Sequence, residues 1–139
     1  MKKIITNNFV ETQQIGLEFA KTLKGGEVIC LYGDLGSGKT TFVQGLAKGL
    51  GIEKKIISPT FIIMRTYRIQ NSKNFYHVDL YRIEESKDVE SLGLLEIMKD
   101  KDNIVVIEWP ERIEDLLPEK RIDIIFAYLD EDKREIVVK

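Results

Sequence analysis

The segment Gly33-Asp34-Leu35-Gly36-Ser37-Gly38-Lys39-Thr40 constrains the fold of this chain more than any other part of the sequence. It matches the spacing G-x-x-x-x-G-K-[ST]. The segment follows a nearly continuous apolar run at residues 27–32, and after it apolar residues recur at helical spacing up to residue 50. The sequence therefore predicts a buried strand, a glycine-rich loop and a helix in that order, the setting in which such a loop binds phosphate.

The chemistry of phosphate binding explains these residue types. Glycines let backbone N–H groups turn toward a β-phosphate, and the helix that follows adds its unsatisfied N-terminal donors. Lys39 supplies a positive charge for the β- and γ-phosphates, and the Thr40 hydroxyl can bind Mg²⁺. Thr41 either contacts the α-phosphate or caps the first helical turn. The loop indicates a nucleotide-binding protein rather than a glycine-rich turn with an incidental Lys-Thr pair.

Two acidic residues are candidates for the Mg²⁺ side of the site, because such proteins usually place an acid at the end of a buried strand. Glu108 ends the apolar run at residues 104–107, which predicts a strand in the sheet interior beside the loop strand. Asp79 ends the run at residues 75–78, which alternates more and predicts a strand nearer an edge. Asp79 could instead be a turn or N-cap acid, so the pattern favours Glu108.

The nucleotide is predicted to be ATP. Guanine-specific phosphate-loop proteins carry an Asn-Lys-x-Asp segment, and these 139 residues contain none. Thr60, in Ser58-Pro59-Thr60, lies either in a loop that senses the γ-phosphate or in a proline-stiffened strand entry. His77 is predicted to be packed, since nothing nearby in sequence completes a nucleophile–base pair. The charged residues 130–134 are predicted to form a solvated turn.

Composition narrows the class of protein further. With 139 residues and 43% hydrophobic content, residues 1–139 are expected to form one domain with an ordinary apolar core. One cysteine and one histidine cannot supply a zinc or iron–sulfur site. The apolar stretch after Lys2 and Lys3 is too short for a signal peptide or a membrane span, so a cytoplasmic protein is expected. A net charge of -2 does not indicate a surface that grips nucleic acid.

The fold is predicted to be α/β: a P-loop NTPase fold whose mixed sheet has parallel core strands and antiparallel edge hairpins, flanked by helices. Fully apolar strands mixed with helices favour the parallel core, and two pairs of β-prone runs favour the edge hairpins. The remaining predicted elements are a strand at residues 4–5, a helix opened by Asn8 and Glu11, hairpins over 61–79 and 122–138, a helical segment at 86–98 broken near Gly93, and a weak helix after Trp109-Pro110.

Four motifs together resemble those of the TsaE (YjeE) family in order and spacing. They are Gly33 to Thr41, Ser58-Pro59-Thr60-Phe61, His77-Val78-Asp79-Leu80-Tyr81-Arg82 and Ile107-Glu108-Trp109-Pro110. The resemblance covers essentially the whole chain, and four motifs in register are more specific than the loop alone.

The resemblance implies a small bacterial cytoplasmic ATPase, needed to make threonylcarbamoyladenosine at position 37 of tRNAs that read codons beginning with A. It implies ATP and Mg²⁺ as cofactors and the TsaD–TsaB complex as partner, with tRNA contacted through those partners. A monomer is favoured for the free protein, whose oligomeric state the sequence leaves open. Lys39, Thr60, Asp79 and Glu108 are then expected to be catalytic, with Thr40 and Glu108 on Mg²⁺. The expected nucleotide-binding residues are Asp34, Gly36, Ser37, Gly38, Lys39, Thr40, Thr41 and Trp109.

Two other functions remain open from the sequence. A small-molecule kinase would need an acceptor pocket and an arginine-bearing lid over the phosphates, and the arginines in the middle of the chain are not clustered as a lid requires. A nucleotide-dependent binding module would use ATP only as a conformational ligand.

Overall fold

The computed structural model describes residues 1–56 and 63–139. The segment Ser58-Pro59-Thr60, and with it the prediction for Thr60, lies outside the described residues. The strands are β1 (Lys2–Thr6), β2 (Val28–Tyr32), β3 (Met64–Ile69), β4 (Lys73–Asp79), β5 (Asn103–Glu108), β6 (Ile122–Tyr128) and β7 (Arg134–Val138). The α-helices are α1 (Phe9–Ala20), α2 (Lys39–Gly49) and α3 (Leu94–Lys99), and 3₁₀ segments cover Ser86–Leu92 and Pro110–Leu116.

The described strands form one mixed sheet in the order β1-β7-β6-β2-β5-β4-β3. The four central strands, β6, β2, β5 and β4, run parallel to one another. At one edge β7 pairs antiparallel with β6, and β1 pairs antiparallel with β7. At the other edge β3 pairs antiparallel with β4. The prediction of parallel core strands with antiparallel edge hairpins is confirmed.

Helices cover both faces of this sheet. On one face α1 and α2 pack over a core that includes Phe42, Leu46 and Phe126. On the other face α3 and the 3₁₀ segments pack over Val78, Ile107 and their neighbours. All six residues of β5 are buried, which is the reason for the uninterrupted apolar run at residues 104–107 in its middle.

The helices α1 and α2 approach each other closely because small residues lie between them. A Cβ atom at Gly45 would lie 1.9 Å from the carbonyl oxygen of Gln13, so only glycine permits this contact. The contact lets α2 pack directly against α1. The N-terminus of α2 carries the glycine-rich loop.

The local predictions differ from the structure in two places. The Asn8 side chain caps α1 by accepting from the Glu11 N–H at 2.9 Å, but the Glu11 carboxylate accepts from the Asn7 N–H rather than from Asn8. The hairpin turn after β3 is shorter than the predicted tetrapeptide 71–74, because Asn71 and Ser72 adopt positive φ and β4 begins at Lys73. In the described part of the chain, no helix has the length and apolarity that crossing a membrane requires.

Candidate functional site

The glycine-rich loop joins the carboxyl end of β2 to the N-terminus of α2. Gly38 is the N-cap residue of α2 and has φ of 105°, a left-handed conformation that an L-residue with a side chain rarely adopts. The first backbone N–H groups of α2 have no intrahelical partner, and they point toward a cavity of about 360 Å³. This arrangement suits an anion, since the dipole of α2 adds positive potential at the same place.

Lys39 is buried at the floor of this cavity, with 4% of its surface exposed. Its ammonium group donates a hydrogen bond to the Gly33 carbonyl and lies 3.9 Å from the centre of the Trp109 ring. Burial lowers the pKa of Lys39, and nearby carboxylates, Glu108 first, oppose that shift only in part. A bound phosphate would add an anionic partner for the buried ammonium.

Two carboxylates face the same cavity from adjacent parallel strands. Glu108 ends β5, Asp79 ends β4, and the two residues are opposite each other in the register of the sheet. The Thr40 hydroxyl donates to one oxygen of Glu108 at 3.4 Å. Asp79 is 7% exposed and accepts a hydrogen bond from the Tyr81 backbone N–H at 3.0 Å. The strand that Asp79 ends, β4, lies nearer an edge of the sheet than β5 does, as predicted.

The residues around Thr40 provide oxygen ligands of the kind that Mg²⁺ prefers. A hydroxyl and a carboxylate lie together beside the phosphate-binding loop, and Mg²⁺ in such sites takes its other ligands from water and from substrate phosphates. Among residues 1–56 and 63–139, no cluster of three or more His, Cys, Asp or Glu side chains could hold a metal ion alone. The donor set therefore fits a Mg²⁺ ion that arrives with nucleotide.

Trp109 forms one wall of the cavity. Its backbone is left-handed, with φ of 61° and ψ of 47°, and it directly follows Glu108 at the end of β5. The ring is half-buried, lies over Lys39 and contacts Tyr81 at 5.1 Å between ring centres. The contact with Lys39 places the ring at the candidate site.

The sequence of residues 6–136 matches a protein-family model described as "Threonylcarbamoyl adenosine biosynthesis protein TsaE". The chain belongs to the TsaE family. A Nostoc protein named "tRNA threonylcarbamoyladenosine biosynthesis protein TsaE" is 42% identical over 137 residues, which is 97% of this chain and 83% of the relative. A protein of the same name from Aquifex aeolicus is 38% identical over 98% of this chain and 94% of the relative.

A solved structure supports the fold as well as the family. The crystal structure of Bacillus subtilis YdiB superposes with a TM-score of 0.80 at 38% sequence identity, covering 97% of this chain and 82% of that one. The protein therefore has the P-loop fold that the loop motif predicts.

The structure of this TsaE-family chain brings most of the predicted site residues together. The cavity wall includes Gly36, Gly38, Lys39, Thr40, Thr41, Asp79, Glu108 and Trp109. Asp34 and Ser37 belong to the same loop but lie beside the cavity: Asp34 is exposed, and its carbonyl accepts from the Ser37 N–H at 3.1 Å. Ser37 is buried, and within the described part of the chain its hydroxyl has no hydrogen-bond partner. Nucleotide binding by these two residues stays a prediction.

Two contacts in the site were missed by the sequence analysis. His77 is packed, as predicted, but its Nε2 lies 2.6 Å from an oxygen of Glu108, so it has a polar partner that sequence proximity does not reveal. The prediction that residues 130–134 form only a solvated turn is wrong, because Arg134 donates to the Gly36 carbonyl of the loop at 3.2 Å.

The position of Arg134 follows from the sheet. The strand β6 runs parallel to β2, so the carboxyl ends of both strands lie at the same edge. The turn after β6 therefore projects beside the glycine-rich loop, and Glu131 and Asp132 join Arg134 on the cavity wall. Recognising that β6 neighbours β2 is the signal that would have identified these residues.

Proposed function

We propose that residues 1–139 form a single domain that hydrolyses ATP with Mg²⁺ and thereby supports formation of threonylcarbamoyladenosine at position 37 of tRNAs reading ANN codons. The protein acts with the TsaD–TsaB complex in the cytoplasm and is a monomer when free. The observation that carries the nucleotide chemistry is the convergence of Lys39, Thr40 and Glu108 on one cavity wall. Family membership and the names of the relatives support the role in tRNA modification.

The loop and Lys39 bind the phosphates. The backbone N–H groups at the start of α2 hold the β-phosphate, and Lys39 leaves the Gly33 carbonyl to contact the β- and γ-phosphates. The ring of Trp109 restricts where the ammonium can move, because it covers one side of Lys39. Arg134 keeps the loop in place through its bond to the Gly36 carbonyl.

The oxygen atoms of Thr40 and Glu108 are the ones that would hold Mg²⁺. When bound, the ion neutralises charge on the β- and γ-phosphates as the phosphoryl group is transferred to water. Glu108 would serve the ion through the oxygen that faces Thr40. Glu108 is nearly completely buried, with 3% of its surface exposed, and a charge in such a low-dielectric place would interact more strongly with a bound cation than an exposed one.

Asp79 and Thr60 complete the proposed machinery. Asp79 borders the cavity next to Glu108, and because Glu108 serves the metal side, Asp79 is the carboxylate assigned to orienting the attacking water. Thr60 is assigned to sensing the γ-phosphate from the family resemblance alone, since it lies outside the described residues.

ATP turnover by the purified chain, alone and with TsaD–TsaB, tests the proposal. We expect slow turnover alone, faster turnover with the partners, and loss of most activity in Lys39→Ala. Lys48→Ala is the matched control, because Lys48 is an exposed lysine on the same helix. A chain that responds to a small acceptor instead is a kinase, and one that binds ATP without responding to either is a binding module.

Thr40→Ala tests the metal part of the proposal separately. Nucleotide affinity should fall more with Mg²⁺ present than with the metal removed by chelation, since the hydroxyl serves the ion. Equal losses under both conditions would argue against Thr40 as a metal ligand while leaving nucleotide binding intact.

A further inference from the structure

We infer that His77 is a positioning residue for Glu108: its Nε2–H holds one carboxylate oxygen so that the other faces Thr40 and the metal side of the site. The inference deepens the proposed function and rests on it. Its starting observation is the distance of 2.6 Å between His77 Nε2 and Glu108 Oε2, in a histidine with no exposed surface.

The sheet brings the two side chains together. His77 lies in β4 opposite Val106 of β5, and Glu108 is two residues beyond Val106. Alternate residues of a strand point to the same face, so His77 and Glu108 are diagonal neighbours on one face of adjacent parallel strands. No other described contact brings a nitrogen donor to Oε2 of Glu108, so this oxygen depends on the histidine.

The other ring nitrogen shows which tautomer is present. His77 Nδ1 is buried and has no hydrogen-bond partner among residues 1–56 and 63–139. A proton on Nδ1 would be a buried donor without an acceptor, which is costly, whereas an unprotonated Nδ1 leaves only an unused lone pair. The proton therefore belongs on Nε2, where it is donated to Glu108.

The two oxygens of the Glu108 carboxylate have different hydrogen-bond partners. Oε2 accepts from His77, and Oε1 accepts from the Thr40 hydroxyl at 3.4 Å. A glutamate has three rotatable side-chain bonds, and a strong hydrogen bond to one oxygen fixes the plane of the carboxylate. Removing a residue that hydrogen-bonds to a metal ligand commonly lowers metal affinity or activity about 10- to 100-fold.

The substitutions His77→Gln and His77→Met form a matched pair. The two replacements have similar length and volume, but only glutamine carries an amide N–H that can reach Glu108. Calorimetry of ADP binding should show equal affinities for both variants with the metal chelated. With Mg²⁺ present, His77→Met should lose about tenfold more affinity than His77→Gln, and it should also lower kcat more than it raises KM.

The wild-type protein provides a test that does not require any variant to fold. His77 is the only histidine, so one imidazole contributes to a long-range ¹H–¹⁵N spectrum of the side-chain nitrogens. We expect the protonated nitrogen to be Nε2 in the nucleotide-free protein. Protonation on Nδ1 would overturn the inference, as would equal Mg²⁺ effects in the Gln and Met variants.

These outcomes are separable from failure of the proposed function. If Lys39→Ala binds nucleotide as tightly as the wild type, the phosphate site itself is misassigned. If Lys39→Ala loses binding while His77→Met and His77→Gln behave alike, the phosphate site stands and the role of His77 is rejected.

Discussion

The ammonium nitrogen of Lys39 lies 3.9 Å from the centre of the Trp109 ring and donates to the Gly33 carbonyl. An aromatic face attracts a cation, and the attraction is larger where water is excluded. The lysine proposed to bind phosphate is thus held by contacts within the protein. In the proposed binding mode, the phosphates of a nucleotide would replace the contact with the Gly33 carbonyl.

Trp109 fluorescence should therefore respond to nucleotide. It is the only tryptophan, so its emission reports one site. Phosphates draw Lys39 away from the ring, and we expect Mg²⁺–ATP, Mg²⁺–ADP and the free protein to give different spectra. At saturating nucleotide, Lys39→Met should show a smaller change, because no cation leaves the ring. Identical spectra at concentrations where calorimetry detects binding would contradict this expectation.

The lowered pKa of Lys39 predicts a pH dependence of stability. In the folded chain Lys39 releases its proton at a lower pH than in the unfolded chain, where the value is near 10.5. Between these two pKa values the unfolded state binds more protons, so the contribution of Lys39 to the free energy of unfolding rises with pH.

Urea unfolding of the wild type and Lys39→Met measures this contribution. The free energy of unfolding of the wild type, relative to Lys39→Met, should increase as pH rises through this alkaline window toward 10.5. At pH values below the pKa of Lys39 in the folded chain, the buried lysine is charged and lowers the free energy of unfolding by its full desolvation cost. Lys39→Met should then be as stable as the wild type or more stable. A difference that stays constant with pH would show that burial does not disfavour the charged form.

The sequence predicts the parts of the site that depend on one segment. The loop, the strand before it and the helix after it follow from local patterns, and the continuous apolarity of residues 104–107 correctly predicts a buried strand ending at Glu108. These predictions succeed because residue type and spacing determine them directly.

The contacts that were missed join segments far apart in the chain. His77 and Glu108 are separated by 31 positions, and Arg134 and Gly36 by 98. Both contacts depend on which strands are neighbours and in what register, and hydrophobic periodicity in a single sequence does not determine either. Residues 130–134 are charged whether they lie in solvent or beside a loop, so composition alone cannot distinguish the two.

Glu108→Gln should separate binding from turnover. The substitution removes the charge but keeps the size and an oxygen that can accept from His77 Nε2. We expect nucleotide affinity within about tenfold of the wild type, or about 1.4 kcal/mol, and a strong decrease in ATP turnover. Parallel measurements of binding by calorimetry and of phosphate release check both parts. Unchanged turnover would transfer the metal-side role to Asp79.

Arg134→Lys should weaken nucleotide binding through the loop. The guanidinium donates from Nε–H to the Gly36 carbonyl at 3.2 Å, and its Nη1 group, which has two hydrogens, shares them among three carbonyls of the β6–β7 turn at 2.8 to 3.2 Å. A lysine ammonium cannot reproduce this planar fork. We expect a loss of about 0.5–1.5 kcal/mol in nucleotide binding free energy, measured by calorimetry. Lys133→Ala, an exposed neighbour in the turn, is the control and should bind normally.

Because the backbone of Trp109 is left-handed, we expect the glycine variant to be more stable than the alanine variant, which reverses the usual order of their stabilities. Both Trp109→Ala and Trp109→Gly remove the ring and its contacts with Lys39 and Tyr81, so that loss is common to the pair. Alanine at φ of 61° costs about 1–2 kcal/mol, whereas the extra freedom of glycine in the unfolded chain costs about 0.5–1 kcal/mol. In urea unfolding Trp109→Gly should therefore be the more stable variant, by up to about 1.5 kcal/mol. At positions with negative φ the order is the opposite, so a more stable Trp109→Ala would mean that the chain after Glu108 does not hold this conformation in solution.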